Sequence, residues 1–494
     1  MRRVLTLCLL LVAIGAQAQV NEVLKASQFG GITNVSYNPA IAENRFALDI
    51  NIISLGVGVE NNYIGLHSSV LTHPSLFNDK NFMANQLTER LNGNAKSLFL
   101  GVQVQGPLSF LYCFGGDRKN AIGFAYHVNT IVNVDGVSED LARMAYYGAG
   151  AKANSIVPFN YRQLSNQNLS AKVMVWSDYG ITYSRVLLDR DEHMVKAGVT
   201  GKILLGSVGA YVYSSNVNYR FRNYDTLDIT HSDLSYGHSG NISYTSQLSA
   251  QNLTRVFSQP SFGADIGMIY EWRPDKENYT SLDGANDWYR HDVNKYKISV
   301  GASIIDIGRL RFAKPDNVRN YNVDIQGWDL HKENIHDLQS FDNSIASKDV
   351  GFKADKANSF KIWLPTRMNI FVDYEIWKGI GANLSTTLSP VLAANKNQVH
   401  YPTSVTLTAR YDYKWIGAYL PLSYNQYGNF RAGFGLRLGP LFVTSSDIIS
   451  VLAAKYVYNV NVQMGLKVSI PNIKNTTYRS REKGCKGNFN NKMF

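Results

Sequence analysis

The sequence reads as all-β: a transmembrane antiparallel β-barrel of roughly 14 strands (about 12 to 16), with a short N-terminal plug-like segment and a few short helices in loops. Three observations lead to this. The chain opens on an export signal, its interior alternates apolar and polar residues with period two, and many alternating runs exceed the ~5 or 6 residues usual in soluble strands. The composition is compatible: of 494 residues 45% are hydrophobic, 18% charged and 12% aromatic, with 30 Tyr and 22 Phe. So much aromatic and so little charged content excludes a disordered chain, and 13 Pro against 39 Gly excludes a collagen-like one. A mean hydropathy of -0.19, with no long apolar run after the signal, excludes a bundle of membrane helices.

Met1, Arg2 and Arg3 form a basic start, Val4 to Ile14 an apolar stretch too short to span a bilayer, and Ala16-Gln17-Ala18 a small-x-small cleavage site. Residues 1–18 therefore read as a secretory signal peptide, 19–44 as an N-terminal segment and candidate plug, 45–470 as the barrel, and 471–494 as a basic periplasmic tail. Without the signal, Cys113 and Cys485 are the remaining cysteines, too few for a disulfide framework. The formal charge of +11 falls by the two arginines of the signal and is otherwise thinly spread, apart from the tail from Lys474 to Lys492. That distribution argues against nucleic acid and for anionic lipid headgroups.

From Leu98 to Phe114 the even positions are apolar, and after a turn at Gly115 to Asn120 the pattern resumes through Ile122, Phe124, Tyr126 and Val128, which predicts a long hairpin. Further alternating runs lie at Phe262 to Trp272, Ile362 to Ile376, Val405 to Tyr413, Phe430 to Leu438 and Tyr456 to Ile470. Two runs change parity midway, at Ile52/Ile53 and Ile304/Ile305, the mark of a β-bulge. Residues 216–249 hold either two strands or a long loop. Short helices are expected over Phe82 to Leu91 and Ser138 to Tyr147, the second opened by a Ser N-cap with Glu139 and Asp140 behind it. The polar stretches 149–170, 273–293 and 314–358 read as loops or caps over a barrel mouth. Tyr and Trp gather at the ends of apolar faces, as in an interfacial girdle.

Asn38-Pro39-Ala40, just before the first long strand, resembles the Asn-Pro-Ala element of fatty-acid-transporter-like (FadL-type) outer-membrane barrels. The runs 198–206, 263–267, 301–308 and 435–442 are similar to a Bacteroidota outer-membrane β-barrel family of unknown function. The resemblance spans most of the chain after the signal. It implies a barrel with its N-terminal segment tucked inside, and relatives that include transporters of hydrophobic compounds and accessory subunits of type IX secretion. On local grounds alone, Asn38 and Pro39 also fit a simple entry turn into the first strand.

No nucleotide, hydrolase or metalloprotease motif occurs, the histidines lack ligand spacing, and no cofactor or metal is expected. Lumen-facing charges are predicted at Asp49, Lys202, Asp265, Glu271, Lys297, Arg367, Asp373, Glu375, Arg410, Asp412, Arg431, Arg437 and Lys467. Their mixed signs suit a salt-bridge network holding the barrel and a plug better than an ion-selective ring. His127 also points inward by alternation, as a conceivable base or as an ordinary hydrogen-bonded lumen histidine. The sequence thus predicts a non-enzymatic outer-membrane protein that passes small or hydrophobic molecules passively or scaffolds an envelope complex. A closed type IX secretion or barrel-assembly subunit and a barrel-embedded lipid-modifying enzyme are the alternatives. Expected partners are outer-membrane lipid, lipopolysaccharide and envelope or secretion proteins; a small-molecule ligand is left open.

Overall fold

The computed structural model describes residues 23–470, except 74, 77–81, 148–160, 224–225, 240–257, 276–278, 284–285, 290, 292–293, 314–319, 330–351, 354–357 and 391–396. The signal peptide and basic tail read from the sequence lie outside these residues, as do His331, His336 and Cys485.

Fourteen antiparallel strands close into a ring. They are β1 (Leu48–Asn61), β2 (Lys96–Gln105 continued by Ser109–Phe114), β3 (Asn120–Val137), β4 (Gln163–Arg190), β5 (His193–Phe221), β6 (Ser261–Trp272) and β7 (Ile298–Ala313). The second half comprises β8 (Ser359–Trp363 continued by Arg367–Trp377), β9 (Ile380–Leu388), β10 (Ser404–Tyr413), β11 (Ile416–Asn425), β12 (Phe430–Ala432 continued by Phe434–Leu438), β13 (Leu441–Ser445) and β14 (Asn459–Ile470). The ring closes where β1 pairs with β14, from Leu48 opposite Ile470 to Glu60 opposite Asn459. Closure gives every wall strand two neighbours, so no backbone edge is left facing lipid.

The alternation sorts the side chains. On β10, Val405, Leu407, Tyr411 and Tyr413 are exposed while Thr406, Thr408, Arg410 and Asp412 are buried. The same division runs around the ring, so an apolar exterior surrounds a polar interior, which is the arrangement a bilayer demands. The parity change in β1 is a bulge: its register against β14 shifts between Asn51 and Ile53, and both Ile52 and Ile53 face outward. In β7 the change falls beside Asp306, whose φ is +61°, and the β6–β7 register shifts there.

Both ends of the described chain lie at one rim, where five short turns join β2 to β3, β4 to β5, β8 to β9, β10 to β11 and β12 to β13. The opposite rim carries most of the long connections. Four expectations change. The helix expected over Phe82 to Leu91 ends at Gln86, and Leu87–Glu89 is a strand paired to Ile64–His67. The stretch 149–170 is strand from Gln163 onward, the 273–293 stretch contains a hairpin of Thr280–Asp283 with Asn286–Tyr289, and the 314–358 stretch contains the strand Asn320–Asp329. Polar strands above the membrane lack an apolar face, so period two does not reveal them. Residues 216–249 hold the end of β5 and a second strand, Thr226–His238, paired with it. The helix Glu139–Tyr147 begins as expected, with the Ser138 carbonyl accepting from the Ala142 amide. No described helix is long and apolar enough to cross a membrane.

Past the bulge, β7 leans into the lumen. Its last residues, Arg309 to Ala313, stay in the wall, paired with Ser359–Trp363 of β8 on one side and, at Arg311 and Phe312, with Gln259 and Ser258 just ahead of β6 on the other. Leu310, Phe312, Phe360, Ile362 and Leu364 then meet Phe99 of β2, Ile131 of β3, and Met174 and Trp176 of β4 in one apolar cluster. Phe312 sits so close over β5 that a Cβ at Gly206 or Gly209 would overlap its ring. This cluster fills part of the long-loop half of the lumen with hydrocarbon.

Candidate functional site: the lumen and its N-terminal plug

The turn half of the lumen is filled by residues 23–47, almost all buried, which include two short 3-10 turns, Leu24–Ala26 and Gly31–Ser36. Four groups of wall residues hold this segment. First, Asp412 accepts from Ser27 Oγ at 2.7 Å and the Gln28 amide at 2.8 Å, while Arg437 binds its other oxygen at 2.8 Å. The Tyr419 hydroxyl lies 2.8 Å from Ser27 Oγ and 3.0 Å from Asp412, and Val23 and Leu24 pack on Tyr419 and Phe442. Second, Asp49 accepts the Ile32 amide at 2.8 Å, and Lys467 donates to the Phe29 and Gly30 carbonyls as well as to Asp49. Gly31 has a φ of +56°, and a Cβ there would overlap the Asp49 carboxylate, so only glycine fits.

The third group receives Asn38-Pro39-Ala40. Asn38 Nδ2 donates to the carbonyls of Met268 on β6 and Ala302 on β7, both at 3.3 Å, and Asn38 Oδ1 accepts the Ala40 amide at 2.9 Å. Asn369 and Ser303 donate to the Tyr37 carbonyl, and Arg367 to that of Ser36. Opposite them, Gly198 and Gly267 are cross-strand partners, and a side chain on either would overlap Pro39 or Asn38. The Asn-Pro-Ala element is thus a wall contact inside the lumen, and it is more than an entry turn.

The fourth group gathers around Glu43 of the segment. Glu43 pairs with Arg273 and Lys295, with Lys196 at 3.7 Å, and Lys196 in turn binds Glu271 at 2.6 Å. Burial alone would raise the Glu43 carboxyl, but the surrounding Arg273, Lys295 and Lys196 charges outweigh it and hold the group well below the usual carboxylate range. Nearby His291 is pushed down to about 3, by burial first and then by Lys295. A cavity of about 160 Å³ lies between this part of the segment and the wall, lined among others by Lys25, Gln28, Glu271, Lys295, Tyr296 and Phe371.

Of the charges expected in the lumen, Asp49, Arg437, Lys467, Asp412, Arg367, Glu271 and Glu375 take part in holding or framing the segment. Lys202, Asp265, Asp373, Arg410 and Arg431 brace the wall: Lys202 binds Asp265 at 2.9 Å and Asp306 at 2.6 Å, Arg410 binds Asp373 at 2.6 Å, and Arg431 binds Glu60 at 2.6 Å. Lys297 is the exception. It sits at the turn rim ahead of β7, its Nζ on the Ile376 carbonyl and over the outward Tyr374 ring, because a long flexible side chain at a strand end escapes the alternation. Sequence reasoning missed Glu43, Glu60, Lys196, Arg273 and Asp306. Glu60 and Lys196 were within reach of strand parity, whereas Glu43 and Arg273 lie outside any periodic run.

His127 meets Ser36 and Asp178. Ser36 Oγ lies 3.2 Å from Nε2, and Nδ1 lies 2.9 Å from Asp178, its cross-strand partner. The order of atoms is that of a hydrolytic triad. All three residues are buried, however, at 8%, 5% and 3% exposure, and none lines the cavity. The triad here pins the plug to β3 and β4.

Solved structures of similar form include a toluene transporter, TbuX, from Ralstonia pickettii (8% identity, 91% of this chain and 97% of that chain covered, TM-score 0.37). A FadL homologue from Pseudomonas aeruginosa follows (7%, 90% and 97%, 0.38), and a toluene transporter, TodX, from Pseudomonas putida (10%, 90% and 96%, 0.33). No curated protein matches the chain. Residues 39–446 match the model of a family described as a family of unknown function (DUF5723), and the chain, a two-faced barrel plugged by its own N-terminal segment, belongs to that family.

Proposed function

We propose that this chain is an outer-membrane β-barrel, exported through the signal peptide at residues 1–18, that passes small hydrophobic molecules passively when its N-terminal plug yields. The observation that carries the reading is the way the lumen is closed. A separate stretch of chain, residues 23–47, fills its turn half and is held by hydrogen bonds and ion pairs to the wall. Such contacts break without unfolding the barrel. An aromatic and aliphatic cluster in the other half makes that part of the path suited to hydrophobic cargo and hostile to ions. No catalytic role is needed for this.

The test compares the purified wild-type barrel with an Asp412→Asn/Glu43→Gln double variant in proteoliposomes. Two plug anchors are lost, so the variant is expected to admit a small aromatic hydrocarbon at least several-fold faster than wild type, with little ion conductance in either. Equal, near-zero flux in both would remove the transport reading. A second reading, a closed scaffold for an envelope or secretion complex, is favoured by the packing of the same apolar cluster across the lumen. Silent barrels that co-purify with a stoichiometric envelope protein would support it.

A further inference from the structure

On the outer surface of β7, above the bulge, the character of the wall changes abruptly. Val300, Ile304 and Ile307 are exposed and apolar, and the stretch from Ile298 to Ile307 is about the length of one membrane crossing. Directly after it Arg309 and Arg311 face outward, and on the paired strand Lys361 lies opposite Arg311 and Trp363 opposite Arg309. Arg309 stacks over the Trp363 ring at 5.1 Å, and Arg311 Nε donates to Ser359 Oγ at 2.8 Å, which orients both guanidinium groups. The three cations have no carboxylate partner among the described residues, unlike Lys202, Arg410 or Arg431 in the lumen. Below them the exposed apolar side chains continue through Met368 on β8 and Phe262 on β6, the latter 83% exposed.

We propose that Arg309, Arg311 and Lys361 bind the phosphate groups of an outer-leaflet glycolipid of the lipid A kind, whose acyl chains lie along Ile304, Ile307, Met368 and Phe262. Charge complementarity carries the assignment: three adjacent cations, with an aromatic at the interface, stand immediately over a hydrocarbon strip. Their rim is the one with most of the long connections, which in outer-membrane barrels faces outward and so selects the outer leaflet. A guanidinium pair suits phosphate through its forked donors. The proposal rests on the outer-membrane reading above.

The full-length barrel, purified in detergent, is titrated with bisphosphorylated lipid A, with its enzymatically dephosphorylated form and with inorganic phosphate. Arg309→Gln/Arg311→Gln/Lys361→Gln is measured beside it, with heat-modifiable mobility confirming that the variant barrel is folded. The expected result is saturable binding of phosphorylated lipid A, weakened at least about tenfold by dephosphorylation and by the triple variant, with inorganic phosphate competing only at high concentration. Equal affinity for both lipids, unchanged binding by the triple variant, or binding of free phosphate as tight as of lipid would each overturn the proposal. Should the triple variant misfold, Lys361→Gln alone, on an exposed side chain, is expected to weaken binding several-fold, and no change would again refute it. Fractionation is scored separately: a barrel absent from the outer membrane defeats the function proposed above, whereas one present there without lipid A binding defeats only this site.

Discussion

Two single positions decide how the plug meets the wall. Gly198 and Gly267 face each other across β5 and β6, and together they leave the flat patch on which Asn38 and Pro39 rest. Gly267→Val places two methyl groups where Asn38 Oδ1 and the Pro39 ring lie. The strand ladder survives, but the plug is displaced, at a cost of about 1–3 kcal/mol to its docking. Limited proteolysis of the N-terminal segment in detergent reads this directly: the variant is cleaved there faster than wild type while the barrel core stays resistant. Glu43 supplies a second, pH-dependent contribution. Its folded-state pKa is depressed, so its stabilisation is fully present above the ordinary carboxylate value of 4.5 and is lost as pH falls from there toward the depressed value. Protease sensitivity of the segment should accordingly rise as pH is lowered from about 5. Glu43→Gln should be sensitive already at neutral pH and should lose that part of the pH dependence. These residues also mark what local reading missed. Glu43 stands in a segment with no repeat, and its partners Arg273 and Lys295 lie some 230 and 250 positions away. Nothing in the order of residues links them.

Strands behave more predictably than their ends. The alternating runs become wall strands because a strand with one apolar and one polar face has a single favourable orientation in a barrel. Ile52 and Ile53 even disclose the β1 bulge, since both must reach the lipid side. The inward lean of β7 and β8 is a different matter. Arg309 to Ala313 continues the alternation of β7 with the cations outward and Leu310 and Phe312 inward, so its pattern matches that of an ordinary wall strand. What bends it is the bulge at Asp306 and the room above Gly206 and Gly209 on β5, two strands along the wall. Phe312→Ala removes the ring that fills that room. A loss of about 3–5 kcal/mol is expected, because the surrounding Leu204, Tyr211 and Phe360 cannot all close the void. Urea unfolding in detergent micelles, followed by heat-modifiable mobility, measures it, and an increase in hydrocarbon flux through the same variant would place the cluster on the passage.

Across the barrel as a whole, the plug and its anchoring charges occupy the turn half of the lumen, and an apolar cluster lies toward the long loops, where the Arg431–Glu60 pair also sits. The braces are paired charges with short partners, as buried ions require; Arg431 and Glu60, both fully buried, sit 2.6 Å apart. Among the described residues, wall charges of both signs are paired with one another.

The amino-acid order by itself determined the class of architecture, because period-two burial is a property of each strand and needs no knowledge of its neighbours. It also determined which side of most wall strands faces the lumen, since the polar residues of a two-faced strand cannot lie against lipid. Which charge meets which, that Ser36 joins His127 and Asp178, that Asn38 reaches two separate strands, and that β7 turns inward were decided only by closure of the ring. Those contacts join residues from about 25 to more than 400 positions apart. Their geometry exists only once the strand order, register and bulges together fix the distance across the lumen.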